Sequence, residues 1–233
     1  MDTSQPPVAQ ERDSSLTAAY FERQVARLLI VLYHCGQPVA SLIDGETRQI
    51  DSLGRLQQFD FWVREPGHLA LALLDAYAAE PDTFSDRKQT LQEALDRVLK
   101  DCQADTRRVM LPGAPYHLFE DFDRPLSFLT SRALVSDRPS FTRSRSQSHR
   151  IILDAAGVKF VQQLFESCPS FAWYRLQCET VAAFFPALEK YDLSAMTYLA
   201  PDLTPAMVAA AALVPNIQRR YQRLFGANSH VDL

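Results

Sequence analysis

Apolar residues recur at helical spacing along most of the chain. Over 16–35, Phe21, Val25, Leu28, Leu29 and Leu32 return at intervals of three and four, which is one face of a helix. Ser14 or Ser15 is placed to cap that helix, and Gly36 to end it. The polar, proline-containing stretch 1–13 reads as a disordered tail. Pro38, a Leu-Ile pair and Asp44-Gly45 make 37–51 a loop or short turn. The pattern next predicts helices over 52–64, 67–79 and 86–103, with Pro66 breaking the chain before the second and Ser85 capping the third.

Around 105–121 the periodicity stops, and MLPGAPYHL brings two prolines and a glycine, the composition of a connector. A helix follows over 122–132, with Leu126, Leu129 and Ala133 on one face. The chain then becomes extended at Leu134 and Val135, passes through an Arg/Ser-rich stretch, and returns as a strand at Ile151–Leu153. Asp154 is placed to cap a helix over 155–167, and helices over 171–184, 193–200 and 204–225 complete the chain. Helix, strand, tip, strand, helix is the order of a winged helix. The expected fold is therefore mainly α with a small β-hairpin. Its parts are a tail over 1–13, a helical domain over 14–104, a connector over 105–121, a winged-helix element over 122–168, a helical region over 169–226 and a tail over 227–233.

Composition adds few constraints. With 47% hydrophobic residues and a mean hydropathy of -0.16, the chain has the makeup of a folded protein. Its net charge of -4 excludes attraction of nucleic acid by the molecule as a whole. The charge is unevenly spread: 1–105 carries 10 Lys and Arg against 17 Asp and Glu, and 106–233 carries 14 against 11. Arg138, Arg143, Arg145 and Arg150 fall within thirteen residues that hold no acid. Cys35, Cys102, Cys168 and Cys178 form no CxxC pair and read as reduced, mostly buried thiols. The polar start lacks the apolar run of a signal peptide, and the apolar stretch containing VAAAALV is too short to span a bilayer. The expectation is a cytoplasmic protein without a membrane partner.

The candidate site residues fall into two groups. Arg138, Arg143, Arg145 and Arg150 surround the expected wing tip, and Arg124 and Arg132 lie on the preceding helix. They read either as contacts to DNA phosphates or a protein partner, or as a solvated loop. Phe59, Asp60, Phe61, Trp62 and Arg64 form the second group. Asp60 and Arg64 meet at i, i+4, as a clamp or an ordinary surface pair, and three aromatics in four positions place one outward as a partner interface. The last helix, with Arg219, Arg220 and Arg223 at its end, reads as a docking helix or as a helix packed on the core. His34-Cys35 and the Cys168 and Cys178 thiols lack four-ligand spacing. His117, Glu120, Asp121 and Asp123 suggest acid–base chemistry, or acids suited to a helix N-terminus. No phosphate-binding glycine loop, HExxH or GxSxG is present, so neither catalysis nor a cofactor nor a metal is expected.

Several segments, in this order, resemble the middle component of bacterial ABC-three-component systems, the group that includes the Lamassu defence type. They are Leu56-Gln57-Gln58-Phe59-Asp60-Phe61-Trp62-Val63-Arg64-Glu65-Pro66, Gly113-Ala114-Pro115-Tyr116, Leu153-Asp154-Ala155-Ala156-Gly157, and Leu193-Ser194-Ala195-Met196-Thr197-Tyr198-Leu199. The resemblance covers roughly 20–205. It departs from the pattern at Gly-Ala-Pro-Tyr, where a glycine–tryptophan step is usual, and at Asp154, where threonine is usual. It implies a non-catalytic adaptor that links an SMC- or Rad50-like ABC ATPase to an effector enzyme, often a nuclease, in antiviral defence, with DNA engaging the ATPase; double-stranded DNA as a partner of this chain itself is the open reading of the wing arginines. The competing expectation is a stand-alone winged-helix transcriptional regulator that binds a palindromic site as a homodimer. A hydrolase built on His117, Glu120 and Asp121 ranks third.

Overall fold

The first helix, α1 (Val8–Cys35), starts earlier than its apolar stripe suggests. Strong helix formers fill Ala9–Arg12 and no glycine or proline intervenes, so the helix continues through Ser14 and Ser15 and neither serine caps it. The expected tail is thus helical from Val8. The computed structural model describes residues 8–41, 45–103, 120–141, 147–191, 193 and 210–226. Among them are eight α-helices and one antiparallel sheet of four strands, so the mainly α expectation holds. None of the helices is long and apolar enough to cross a membrane.

At the end of α1 the Gly36 N–H donates to the Leu32 carbonyl at 3.1 Å. A Cβ on Gly36 would overlap that same oxygen, so the position requires glycine. Strands β1 (Gln37–Ser41) and β2 (Gly45–Ile50) follow as a hairpin, where the sequence suggested a loop. They exist because β2 pairs with a distant strand. Ile50 lies opposite Ile151 in β4 (Gln147–Leu153), which in turn pairs with β3 (Val135–Phe141). The order is β1-β2-β4-β3, so the expected single hairpin is half of the sheet. The edge strands carry Pro38 and Pro139, residues that cannot donate to a further strand.

The pairing of β2 with β4 also sets the division of the chain. Of the described residues, one compact unit takes those between 8 and 56 together with those between 120 and 169, and the other takes those between 57 and 103 and between 170 and 226. The expected helical domain over 14–104 is therefore divided between two units. In the first, Ile50, Val135, Ile151 and Leu153 are buried on one face of the sheet, and α1 contributes a fully buried run from Leu28 to Leu32. Helices α5 (Asp123–Ser131) and α6 (Ala155–Ser167) pack against the strands beside α1. Asp154 stands at the N-cap position of α6, yet its carboxylate accepts from the Ser136 hydroxyl at 3.0 Å and caps nothing. Gly157 lets α6 approach, because a Cβ there would collide with the Leu134 carbonyl and the Leu153 side chain.

The second unit is helical: α2 (Leu53–Arg64) runs into it, followed by α3 (Pro66–Ala79), α4 (Lys88–Gln103), α7 (Ala172–Leu188) and α8 (Ala210–Phe225). Pro66 takes the first turn of α3, as expected. Ser85 lies in a 3-10 segment, Pro81–Arg87, and donates to the Asp82 carbonyl at 2.9 Å, so it does not cap α4. Helix α8 lies against α3 and α4. It buries Ile217 and Phe225, stacks Phe225 on Tyr77, and pairs Arg220 with Asp75. Of its two expected readings, the packed helix is the one observed.

Burial, then a hydrogen bond to Asp96 and its charge, push the Tyr221 phenol up to about 12 from its ordinary 10.0. The unfolded phenol therefore ionises first, and between pH 10 and 12 that ionisation favours the unfolded state. The Tyr221 contribution to stability is complete below pH 10 and is lost as the pH rises towards 12. Tyr221→Phe should therefore flatten the alkaline loss of stability in that window, read as denaturation midpoints by circular dichroism. An unchanged slope would refute the assignment.

Candidate nucleic-acid interface

Alternate residues of a strand face opposite sides of a sheet. In the β3–β4 hairpin, Val135, Ile151 and Leu153 face the core, which places Ser136, Arg138, Arg150 and Ile152 on the other side. Arg138 lies directly opposite Arg150 in the register, and both are exposed. Among the described residues neither forms an ion pair. Asp51, immediately after β2, accepts instead from Gln49 at 3.5 Å and faces Arg55 at 3.8 Å. Like charges directly opposed across two strands oppose pairing, so this placement does not serve the stability of the hairpin. Arg143 and Arg145 belong to the segment that links β3 to β4 and lie outside the described residues. On the core-facing side near the same end, His149 Nδ1 lies 3.1 and 3.0 Å from the two oxygens of Asp137, so that carboxylate has its own neighbour within the hairpin.

Helix α5 ends in a turn built for a change of direction. Ala133 is left-handed with φ 53°, the Ala133 N–H donates to Thr130 at 3.0 Å, and the Leu134 N–H donates to Leu129 at 3.1 Å. The chain passes from there into β3. Arg124 and Arg132 are both exposed, but neither stands alone. The Arg124 guanidinium lies 4.7 Å above the Phe21 ring of α1, and that of Arg132 5.5 Å above Phe128. Phe21 and Phe128 meet edge to face at 5.6 Å.

The second group of expected residues is not a surface. Phe59, Asp60, Phe61 and Trp62 are all buried, at 5%, 1%, 0% and 1% exposure, which contradicts an outward-facing aromatic. Helix α2 is covered on more than one side: Phe59 meets Phe185 at 4.3 Å, Phe61 meets His68 at 5.8 Å, and Trp62 meets Tyr191 at 5.7 Å. Arg64 contacts Asp60 at 3.4 Å and Glu65 at 3.3 Å, so the pair is part of a buried charge cluster.

The acid at Glu120 has a structural role that the sequence pattern did not indicate. Its carboxylate accepts from the Tyr20 hydroxyl at 2.9 Å, from Gln24 Nε2 at 2.8 Å and from Arg27 at 2.6 Å. These three donors, on successive turns of α1, tie that helix to the chain entering α5. Asp121 accepts from the Asp123 N–H at 2.9 Å, a local turn contact. His117, most of the Leu193–Leu199 segment and the Gly113–Tyr116 connector lie outside the described residues. His34 packs edge-on against Tyr33 and Phe165, and Cys178 is buried. No family model, curated protein or solved structure matches this chain.

Proposed function

We propose that this chain is a non-catalytic adaptor: the middle subunit of a prokaryotic defence complex, linking an SMC- or Rad50-like ABC ATPase to an effector enzyme and touching duplex DNA through its β3–β4 hairpin. In this reading α5, the hairpin and α6 act as a winged-helix element with the hairpin as its wing. The observation that carries it is the exposed Arg138–Arg150 pair, opposed across the strands and without an acidic partner among the described residues. Two cations held side by side on the exposed face of a hairpin suit successive phosphates, and arginine suits phosphate better than lysine does. Arg143 and Arg145 extend the same basic run in sequence. The order of motifs that resembles the middle components of three-component systems supplies the partners.

The regulator reading is weaker on a specific point. Helix α5 is nine residues long and opens on Asp123, and both Arg124 within it and Arg132 just past its end lie against phenyl rings, a poor reading head for base edges. The adaptor reading is tested by reconstitution. The chain is co-expressed with a coiled-coil ABC ATPase and an effector encoded beside it, and each pair and the trio are run on a sizing column. The effector should co-elute with the ATPase only when this chain is present. Co-elution without it, or elution of this chain alone from the trio, would contradict the proposal.

A further inference from the structure

An adaptor needs a protein-facing surface, and the one expected at Phe59–Arg64 is buried. Helix α5 offers another. Arg124 and Phe128 on α5 and Arg132, the residue that closes the helix, recur at intervals of four and so form one stripe, and all three are exposed, Phe128 at 38%. Only Phe128 on α5 and Phe160 on α6 are large hydrophobics exposed among the described residues. The stripe reads cation, phenyl, cation, and its ends lie about 12 Å apart along the helix. Phe21 of α1 lies beside it, under Arg124 and edge-on to Phe128. Among the described residues neither arginine has an acidic partner. Each guanidinium is held over a ring, so its orientation is partly set before anything binds, and less side-chain freedom is lost on contact.

We infer that this stripe is a docking face for an acidic helix of a partner protein, one that presents carboxylate, apolar side chain and carboxylate at matching spacing. This rests on the adaptor reading and names the chemistry of one of its partners. The two carboxylates would take the two guanidiniums as charge-assisted pairs, and the apolar residue between them would cover Phe128. A protein helix fits better than a duplex, because the exposed Phe128 between the two cations calls for an apolar side chain between two anions, which a phosphate backbone does not present.

The test uses the full chain and a designed helical peptide of roughly twenty residues, long enough to hold a helix, with Glu, Leu and Glu at four-residue spacing. A second peptide carries Lys in place of Glu. Wild type should bind the Glu peptide at least tenfold more tightly than the Lys peptide in fluorescence anisotropy, and the Arg124→Glu/Arg132→Glu variant should reverse that preference. Phe128→Ala, which leaves both charges, should weaken the Glu peptide severalfold. Arg138→Ala/Arg150→Ala should leave peptide binding unchanged, which separates this face from the hairpin. Equal binding of both peptides, or a preference that survives the charge reversal, would overturn the inference. Displacement of the Glu peptide by a duplex from wild type and from the hairpin variant alike would overturn it in favour of nucleic acid. Failure of the reconstitution above would remove the adaptor reading while leaving the peptide result standing.

Discussion

Replacing Arg27 with methionine is expected to destabilise the first unit by about 3–5 kcal/mol, the range for breaking one side of a buried ion pair. The Arg27 and Glu120 side chains are only 5% and 11% exposed and meet at 2.6 Å. Methionine keeps most of the apolar stem and removes the guanidinium, so the loss reports the charge and its hydrogen bonds. Glu120 would keep Tyr20 and Gln24 as donors, but the carboxylate would lose the cation that offsets its burial. Glu120→Gln should be damaging for the reciprocal reason, since it leaves a guanidinium buried against a neutral amide. The double replacement Arg27→Met/Glu120→Leu should recover part of the loss, because removing both charges removes the desolvation problem. Denaturant unfolding of the three variants measures this. Independent, additive effects of the two single changes would refute the coupling.

The second large effect is expected in binding. Arg138→Ala/Arg150→Ala should reduce affinity for a duplex of arbitrary sequence by about a hundredfold at low salt. Hydrogen bonds to charged groups contribute about 1.5–3 kcal/mol each, and 1.4 kcal/mol is a factor of ten. The same replacement should leave the fold intact or slightly firmer, because two like charges opposed across the strands are removed. Stability and binding thus move differently, which distinguishes loss of a contact from loss of structure. The contacts go to phosphates, so the loss should be similar for unrelated sequences.

How far the sequence could be read differs from one element to the next, for physical reasons. Helices α2, α3 and α6 begin or end where a proline or a small-residue turn interrupts a clear apolar stripe, so Pro66 and the Asp154-Ala155 entry mark them locally. The β1–β2 hairpin left little trace. Its apolar content is sparse, and it depends on Ile50 and Gln49 meeting Ile151 and Ile152 a hundred residues later in sequence. Glu120 could not be read at all, since its donors lie 93, 96 and 100 residues earlier. The burial of Phe59, Phe61 and Trp62 depended on partners in α7, α3 and the stretch after α7, which no local periodicity reports. The basic run around Arg138 and Arg150 was visible in composition. That the two arginines stand face to face was not, because it follows from hairpin register.

The most direct measurement is the salt dependence of duplex binding by the full chain and by the Arg138→Ala/Arg150→Ala variant. The slope of log K against log salt is about -0.9 for each phosphate neutralised on B-form DNA. If the hairpin pair grips the backbone as proposed, the variant's slope should be shallower by about 1.8, with weaker binding at every salt concentration. An unchanged slope, or equal affinity of the two proteins, would contradict a DNA-touching adaptor.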